Sequence, residues 1–441
     1  MTPRADLTDA GLGRSLDTVV RDLGLAGAEA PGRQPTLAGR RRRRGAVPES
    51  GLATVSLVRT DGVLRWVYRR PPRRVGSRRA RRAGPGPVGA PPVASFGFQE
   101  VPPNQVIQAL ESLDTKFTPL RGLRRWQAGA LSPAGALQAT PRCLLFVHGT
   151  FSKSDVFFEE LSASKEGKDF LARAEAHYGQ VLAFDHPTLS VSPLLNALDL
   201  EAALAGYAGV VDVVCHSRGG LVTSWWLRTG ARPAGRVVFV GSPLEGTSLA
   251  APARLKDALD YLANVADVIE KAAVVGGGFV PPAAPILGMA ASLMKVVGAG
   301  LTLGARTPLL DAGVAVVPGL TAQSRVKNNQ ELLRLHRDQW PSKPECFAVR
   351  ANFEPGDPDS PWWQFWKRWR KPLLALADTG ADPIFDAPND LVVDTDSMTR
   401  LLGKKLLSTH VLDFKTSDTV HHCNYFAQAP TARFLARVLG V

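Results

Sequence analysis

The stretch Val211–Leu221, V-D-V-V-C-H-S-R-G-G-L, decides the fold. Its first half is a short apolar run rich in β-branched residues, the composition of a strand buried on both faces of a parallel sheet. Its second half ends in two glycines that lead into Leu221–Arg228, which reads as a helix. Ser217 stands between strand and helix, flanked by His216 and Arg218, with Gly219 two residues on. So tight a turn forces its central serine into strained backbone geometry and lifts Oγ above the sheet edge, and small neighbours keep the turn free of clashes. The usual form of such a turn is G-x-S-x-G, and Cys215 here replaces the first glycine. A lone serine among small residues is more often an ordinary turn. Its surroundings in the chain must decide.

Outward from this stretch, strands alternate with helices. Cys143–Val147 (C-L-L-F-V) is a buried strand running straight into His148-Gly149-Thr150-Phe151-Ser152. Asp169–Tyr178 reads as a helix, Gln180–Phe184 as a strand and Leu194–Leu204 as a helix. After the helix that follows Ser217 comes a strand at Arg236–Val240, ending in G-S-P-L-E-G-T-S. Further upstream, Val106–Leu113 reads as a short helix and Leu120–Ala128 as an edge strand. This alternation implies βαβ crossovers and a mostly parallel sheet. Sites in such sheets lie at the carboxyl ends of the strands. His148, Ser217 and the Gly241 loop all fall there.

Three segments, V-H-G-T-F-S (147–152), C-H-S-R-G-G-L-V (215–222) and V-G-S-P-L-E-G-T (240–247), together resemble the serine hydrolases of the α/β-hydrolase superfamily. The nearest likeness is to the lipase-like branch that includes bacterial triacylglycerol lipases, lecithin:cholesterol acyltransferases and GPI inositol-deacylases. The resemblance covers roughly residues 140–250 and 385–435. It implies an α/β-hydrolase fold, a mostly parallel central sheet flanked by helices, with a helical cap insertion. One departure is Leu244, where this branch often has a histidine outside the triad, so the change bears on subfamily and leaves the chemistry in place.

Nucleophilic catalysis by serine needs a base and an orienting acid, taken in this fold in the order Ser, Asp/Glu, His. The loop Pro388-Asn389-Asp390-Leu391-Val392-Val393 resembles the family's acid loop and makes Asp390 the acid. Asp394 and Asp396 are expected to cap a helix over Ser397–Leu407. After a last strand at Thr409–Phe414, the run His421-His422-Cys423-Asn424-Tyr425-Phe426 resembles the base loop, which favours His422, with His421 as the alternative. One oxyanion donor is expected to be the N–H of Arg218, directly after the serine. The other is the N–H of Thr150, with Phe151 as runner-up. His148, His186 and His216 are read as scaffold.

The chain of 441 residues is 45% hydrophobic, ample for a large core. Cys143, Cys215, Cys346 and Cys423 have no paired spacing, which implies reduced thiols rather than a disulfide or zinc framework. No His, Cys or carboxylate cluster has ligand spacing, so no metal or cofactor is implied. The charge is lopsided. Residues 1–95 hold 19 arginines, no lysine and seven acidic residues, which accounts for +12 of the chain's +13. This basic region, with runs at Arg40–Arg44 and Arg69–Arg82, is expected to be largely disordered, apart from a hairpin at 54–68 turning on Asp61-Gly62. Residues 96–441 then form the hydrolase domain, with a cap at 252–335 and a tryptophan-rich insertion at 355–385. Trp362, Phe365, Trp366 and Trp369 lie on one helical stripe there, read as a buried cap helix or an interfacial one.

No signal-peptide core opens the chain, and no apolar run reaches the ~20 residues of a membrane span. A cytoplasmic chain is expected, with peripheral contact to anionic membrane through the arginine-rich region as the alternative. No specific nucleic-acid module accompanies the charge. The function expected is a serine esterase or lipase acting on an acyl ester or lipid-like substrate. The alternatives are an acyltransferase using the same triad and a catalytically silent interaction module. Oligomeric state is not legible.

Overall fold

The computed structural model describes residues 4–26, 52–60, 62–71, 91–229, 233–250, 255–275, 284–301, 317–325, 329–337, 340–341, 344–356, 358, 362–363 and 388–441. The chain divides into two units, one of residues 1–109, 259–270 and 282–313, the other of residues 110–258, 271–281 and 314–441.

In the first unit, α1 (Arg4–Asp22) is followed by three antiparallel strands, β1 (Ala53–Thr60), β2 (Val63–Arg69) and β3 (Ala94–Phe98), in the order β2-β1-β3. Period-2 alternation buries Val55, Leu57, Leu64, Trp66 and Tyr68 on one face together with Phe96 and Phe98. The outer edge of β2 is covered by side chains of the helix Leu255–Val275. Asp260 Oδ1 accepts from Trp66 N–H (2.7 Å), and Asn264 both accepts from Leu64 N–H (2.9 Å) and donates to Leu64 O (2.8 Å). Arg59 bridges Asp267 (2.8 Å) and Asp9. The hairpin read at 54–68 corresponds to β1 and β2, the central strand and one edge strand of this sheet. The run Arg40–Arg44 and most of Arg69–Arg82 lie outside the described residues.

The second unit is built on one large sheet, which α2 (Val106–Phe117) precedes. Its strands are β4 (Gly122–Gln127), β5 (Ala130–Pro133), β6 (Arg142–Val147), β7 (Val181–Asp185), β8 (Val210–His216), β9 (Ala234–Val240) and β10 (Glu345–Phe353). The two-residue hairpin strands β11 (Arg400–Leu401) and β12 (Lys404–Lys405) stand apart, and β13 (Val411–Ser417) completes the sheet. The order is β13-β10-β9-β8-β6-β7-β4-β5. The pairings from β13 to β7 are all parallel, and β4 and β5 join antiparallel. This is the α/β-hydrolase fold. The helices α3 (Asp155–Leu161), α4 (Lys165–Tyr178), α5 (Pro193–Ala203) and α6 (Gly219–Thr229) connect the parallel strands. Two apolar clusters sit on the sheet. Phe158, Phe170 and Leu435 belong to one, and Leu200, Trp225 and Trp226 to the other.

Two expectations are corrected, and one strand was not anticipated. The strand at Leu120–Ala128 is not at the edge, because β5 pairs outside it. The strand β10 has no counterpart in the sequence reading. The helix expected over Ser397–Leu407 is a single 3₁₀ turn, Ser397–Thr399, followed by the β11–β12 hairpin. Leu402 (φ +52°) and Gly403 (φ +72°) turn the chain there in left-handed geometry, which a helix cannot contain. Between β9 and β10 the described segments include the helices Leu255–Val275, Ala284–Leu301, Pro318–Thr321 and Gln330–His336. No described helix is long and apolar enough to cross a membrane.

Candidate active site

β8 ends at His216 and α6 begins at Gly219, so the chain reverses within two residues. Ser217 occupies the reversal with φ +52°, a left-handed backbone that costs a non-glycine residue roughly 1–2 kcal/mol. Its N–H donates to Val240 O (3.0 Å), and Gly220 N–H donates to Ser217 O (2.9 Å). The loop after β6 passes directly alongside. A Cβ on Gly149 would stand 2.7 Å from Ser217 Cβ, so only glycine fits. Cys215, in the place of the usual glycine, faces the sheet interior, where burial pushes its thiol up to about 12.

Asp390 and His422 meet at the same end of the sheet. Asp390 is wholly buried, and its Oδ1 accepts from the N–H groups of Val392 (3.1 Å) and Val393 (2.8 Å). Its Oδ2 accepts from Tyr425 Oη–H (2.9 Å) and from His422 Nδ1–H (2.8 Å). The main chains join as well, His422 N–H donating to Asp390 O (3.0 Å). With Nδ1 donating, the neutral ring keeps its acceptor at Nε2. His216 Nε2–H donates to His422 O (3.0 Å), and the two rings lie 4.7 Å apart. Burial, with the His422 charge next, holds His216 well below the usual histidine range, so it acts as a neutral brace.

His421 turns elsewhere. Its ring packs beside Trp362 (5.4 Å) and Phe353 (5.8 Å), and burial lowers it to about 4. The structure therefore brings His422, and not His421, to Asp390. Asp394 accepts from Ser248 Oγ (3.2 Å) and pairs with Arg325 (3.4 Å), tying the loop after β9 to the Asp390 loop. Asp396 pairs with Arg400 (2.8 Å). Neither carboxylate caps a helix.

Phe151 (φ +54°) spends its N–H on Thr188 Oγ1 (3.2 Å), whereas the N–H groups of Thr150 and Arg218 have no hydrogen-bond partner among the described residues. The Thr150 hydroxyl is held by Gln323, whose Nε2 donates to Oγ1 (3.0 Å). The Arg218 guanidinium is fully buried and donates to Val191 O (2.6 Å) and Asn196 Oδ1 (2.7 Å), and burial lowers it to about 10. His148 and His186 stack 4.1 Å apart, His186 N–H donating to His148 Nε2 (3.1 Å), and burial lowers both. Among the described residues no group of three or more His, Cys, Asp or Glu is arranged to hold a metal ion.

Gln323, Thr188 and the hydroxyl of Tyr425 carry parts of this site that sequence reasoning passed over. Tyr425 lies within the quoted base-loop motif, which was its only signal. Gln323 and Thr188 stand in irregular segments without periodicity, and nothing local marks them.

The family model described as "Domain of unknown function (DUF7379)" matches residues 115–440. The chain belongs to this family. DUF7379 therefore takes in the whole eight-stranded sheet and every residue of the site just described. No curated protein matches the chain. Among solved structures, the chain is similar to the lipase BlEst2 of Bacillus licheniformis in its mature form (15% identity, TM-score 0.36), covering 70% of this chain and 96% of that one. It is also similar to lipase 1 of Pelosinus fermentans (11% identity, TM-score 0.40), covering 68% and 98%. MenH from S. aureus is a third (12% identity, TM-score 0.33), covering 72% and 97%. These are distant likenesses, and the assignment of the fold rests on the strand order given above.

Proposed function

We propose that this chain is a serine hydrolase that cleaves carboxylic esters, of lipase or esterase type, through an acyl-enzyme. Ser217 Oγ attacks the ester carbonyl while His422 Nε2 takes its proton, then returns that proton to the leaving alcohol. Asp390 holds the ring in the tautomer with Nδ1 protonated and stabilises the imidazolium that forms. The N–H groups of Thr150 and Arg218 receive the negative charge that develops on the carbonyl oxygen, each contributing ~3 kcal/mol in the transition state. Water, activated by the same histidine, then releases the acid.

The observation that carries this reading is the 2.8 Å Asp390–His422 pair at the same end of the sheet as a serine in strained left-handed geometry, with His216, the residue before that serine, donating to His422 O. The two uncommitted N–H groups support it. No Ser217 Oγ–His422 hydrogen bond is present among the described residues, and contacts of this kind commonly tighten only around substrate. Transfer of the acyl group to an acceptor other than water would use the same residues.

The test is hydrolysis of p-nitrophenyl esters of increasing chain length. Ser217→Ala and His422→Ala are expected to lose about 10⁶ in turnover and Asp390→Asn about 10⁴, with normal folding. His421→Ala and Asp394→Asn are expected to stay active. An inactive wild type would favour an interaction module, and loss of activity in His421→Ala but not in His422→Ala would move the base by one residue.

A further inference from the structure

We infer that Asp114, on α2, is a positioning residue for the oxyanion pocket, acting through the loop Thr188–Val191. The inference rests on the reading of Ser217 proposed above. Asp114 is 1% exposed, and its carboxylate gathers one loop almost entirely. It accepts from the N–H groups of Thr188 (2.7 Å), Leu189 (2.9 Å) and Ser190 (2.8 Å) and from Ser190 Oγ (2.6 Å). Thr188 Oγ1 lies 3.5 Å from Asp114 Oδ1, so that hydroxyl can donate to the carboxylate while accepting from elsewhere.

The loop so held touches both expected donors. On one side, Thr188 Oγ1 accepts from the N–H of Phe151 (3.2 Å), the residue directly after Thr150. That bond occupies the neighbouring N–H and fixes the left-handed turn at Phe151, leaving Thr150 N–H as the group free to face a substrate oxygen. On the other side, Val191 O accepts from the buried guanidinium of Arg218 (2.6 Å), whose own N–H is the second donor. A third element closes the loop from outside. Gly319 N–H donates to Leu189 O (3.0 Å), and a Cβ on Gly319 would collide with Thr188 O.

A carboxylate is the group this arrangement needs. Three main-chain N–H groups converge on it, and an amide in its place would turn one acceptor into a donor facing them. Oxyanion donors act only when aimed at the place where charge develops, so a shift of about 1 Å in the loop costs turnover more than binding.

The test compares full-length wild type, Asp114→Asn and Thr188→Val on a p-nitrophenyl ester, with inhibition by phenylboronic acid and thermal melts alongside. The boronate forms a tetrahedral adduct on the serine and sets one oxygen in the pocket. Both variants are expected to lose about tenfold or more in kcat, less than the ~10²–10³ of deleting a donor outright, with KM little changed. Boronate affinity is expected to fall in the same proportion. Thr188→Val removes the Phe151 acceptor and the long hydroxyl contact to Asp114 but keeps the main-chain N–H groups of Thr188, Leu189 and Ser190 on that carboxylate, which keeps the inference testable if Asp114→Asn does not fold. Variants that turn over and bind boronate like the wild type, or that lose activity only in step with their unfolded fraction, would overturn it. A wild type with neither turnover nor labelling by a fluorophosphonate would overturn the parent reading, and this inference with it.

Discussion

Four donors converge on the Asp390 carboxylate, and each has a separate task. The N–H groups of Val392 and Val393 fix one oxygen, and Tyr425 and His422 share the other. Removing the tyrosine hydroxyl leaves the pair intact but takes a hydrogen bond from a buried charge. Tyr425→Phe is expected to destabilise by about 1–3 kcal/mol and to lower kcat several-fold without moving KM, read from melts and ester kinetics. Glu160 on α3 supplies a pH-dependent contribution below the same loop. It is buried, accepts from Phe426 N–H (3.2 Å), and burial pushes its carboxyl up to about 8. In the unfolded chain it titrates near ~4.3, so the folded state holds a proton between those values that the unfolded state has lost. The stability linked to that proton is complete below about 4.3 and is lost as pH rises through the folded value. Glu160→Gln cannot ionise. Its Tm relative to wild type is expected to be higher at pH 9 than at pH 5, and the same difference at both would contradict the assignment.

At the scale of elements, the site depends on loops at strand ends that pass too close for side chains. Gly241, after β9, has φ +52°, and a Cβ there would stand 2.8 Å from Tyr425 Cε2 and 3.3 Å from both Asp390 Oδ2 and His422 Nδ1. Gly241→Ala is expected to cost roughly 1–2 kcal/mol in backbone strain and to reduce turnover further than melting temperature suggests. Kinetics and melts of one preparation check this, and unchanged kcat would contradict it. The elements nearest Ser217 were legible in the sequence because uninterrupted apolar runs such as C-L-L-F-V admit few alternatives. β10, E-C-F-A-V-R-A-N-F, was not, because Arg350 and Asn352 interrupt its apolar pattern. Both are satisfied across the β10–β13 pair, Arg350 by Asp413 (2.7 Å) and Asn352 by Thr416 Oγ1 (3.2 Å), and no local pattern announces a partner more than 60 residues away. The false helix at Ser397–Leu407 arose the same way, since T-R-L-L-G-K-K-L has helical composition and only the turn at Leu402-Gly403 contradicts it. Of the tryptophan stripe, Phe365, Trp366 and Trp369 lie outside the described residues.

For the whole molecule, net charge and the proposed triad occupy different parts of the chain: +12 of +13 lies before residue 96, whereas Ser217, Asp390 and His422 all lie beyond it. Our proposal for the basic segments is attraction to an anionic lipid surface, at about 1 kcal/mol per arginine near it and screened by salt. Truncation at residue 92 would be a poor test, since it removes α1, β1 and β2 and leaves Asp260 and Asn264 without their strand. Replacing Arg40–Arg44 and Arg73, Arg74, Arg78, Arg79, Arg81 and Arg82 by serine spares the described strands. This variant is expected to sediment less with anionic vesicles at low salt while hydrolysing a soluble ester at the wild-type rate. Equal sedimentation would return these arginines to a solvated extension. The central claim is narrower, that Ser217 is an activated nucleophile. The most direct measurement is fluorophosphonate labelling of the full chain, with the modified peptide located by mass spectrometry. The label is expected on Ser217 in the wild type, absent from Ser217→Ala and strongly slowed in His422→Ala. An unlabelled wild type, or a label on another residue that survives Ser217→Ala, would contradict the claim.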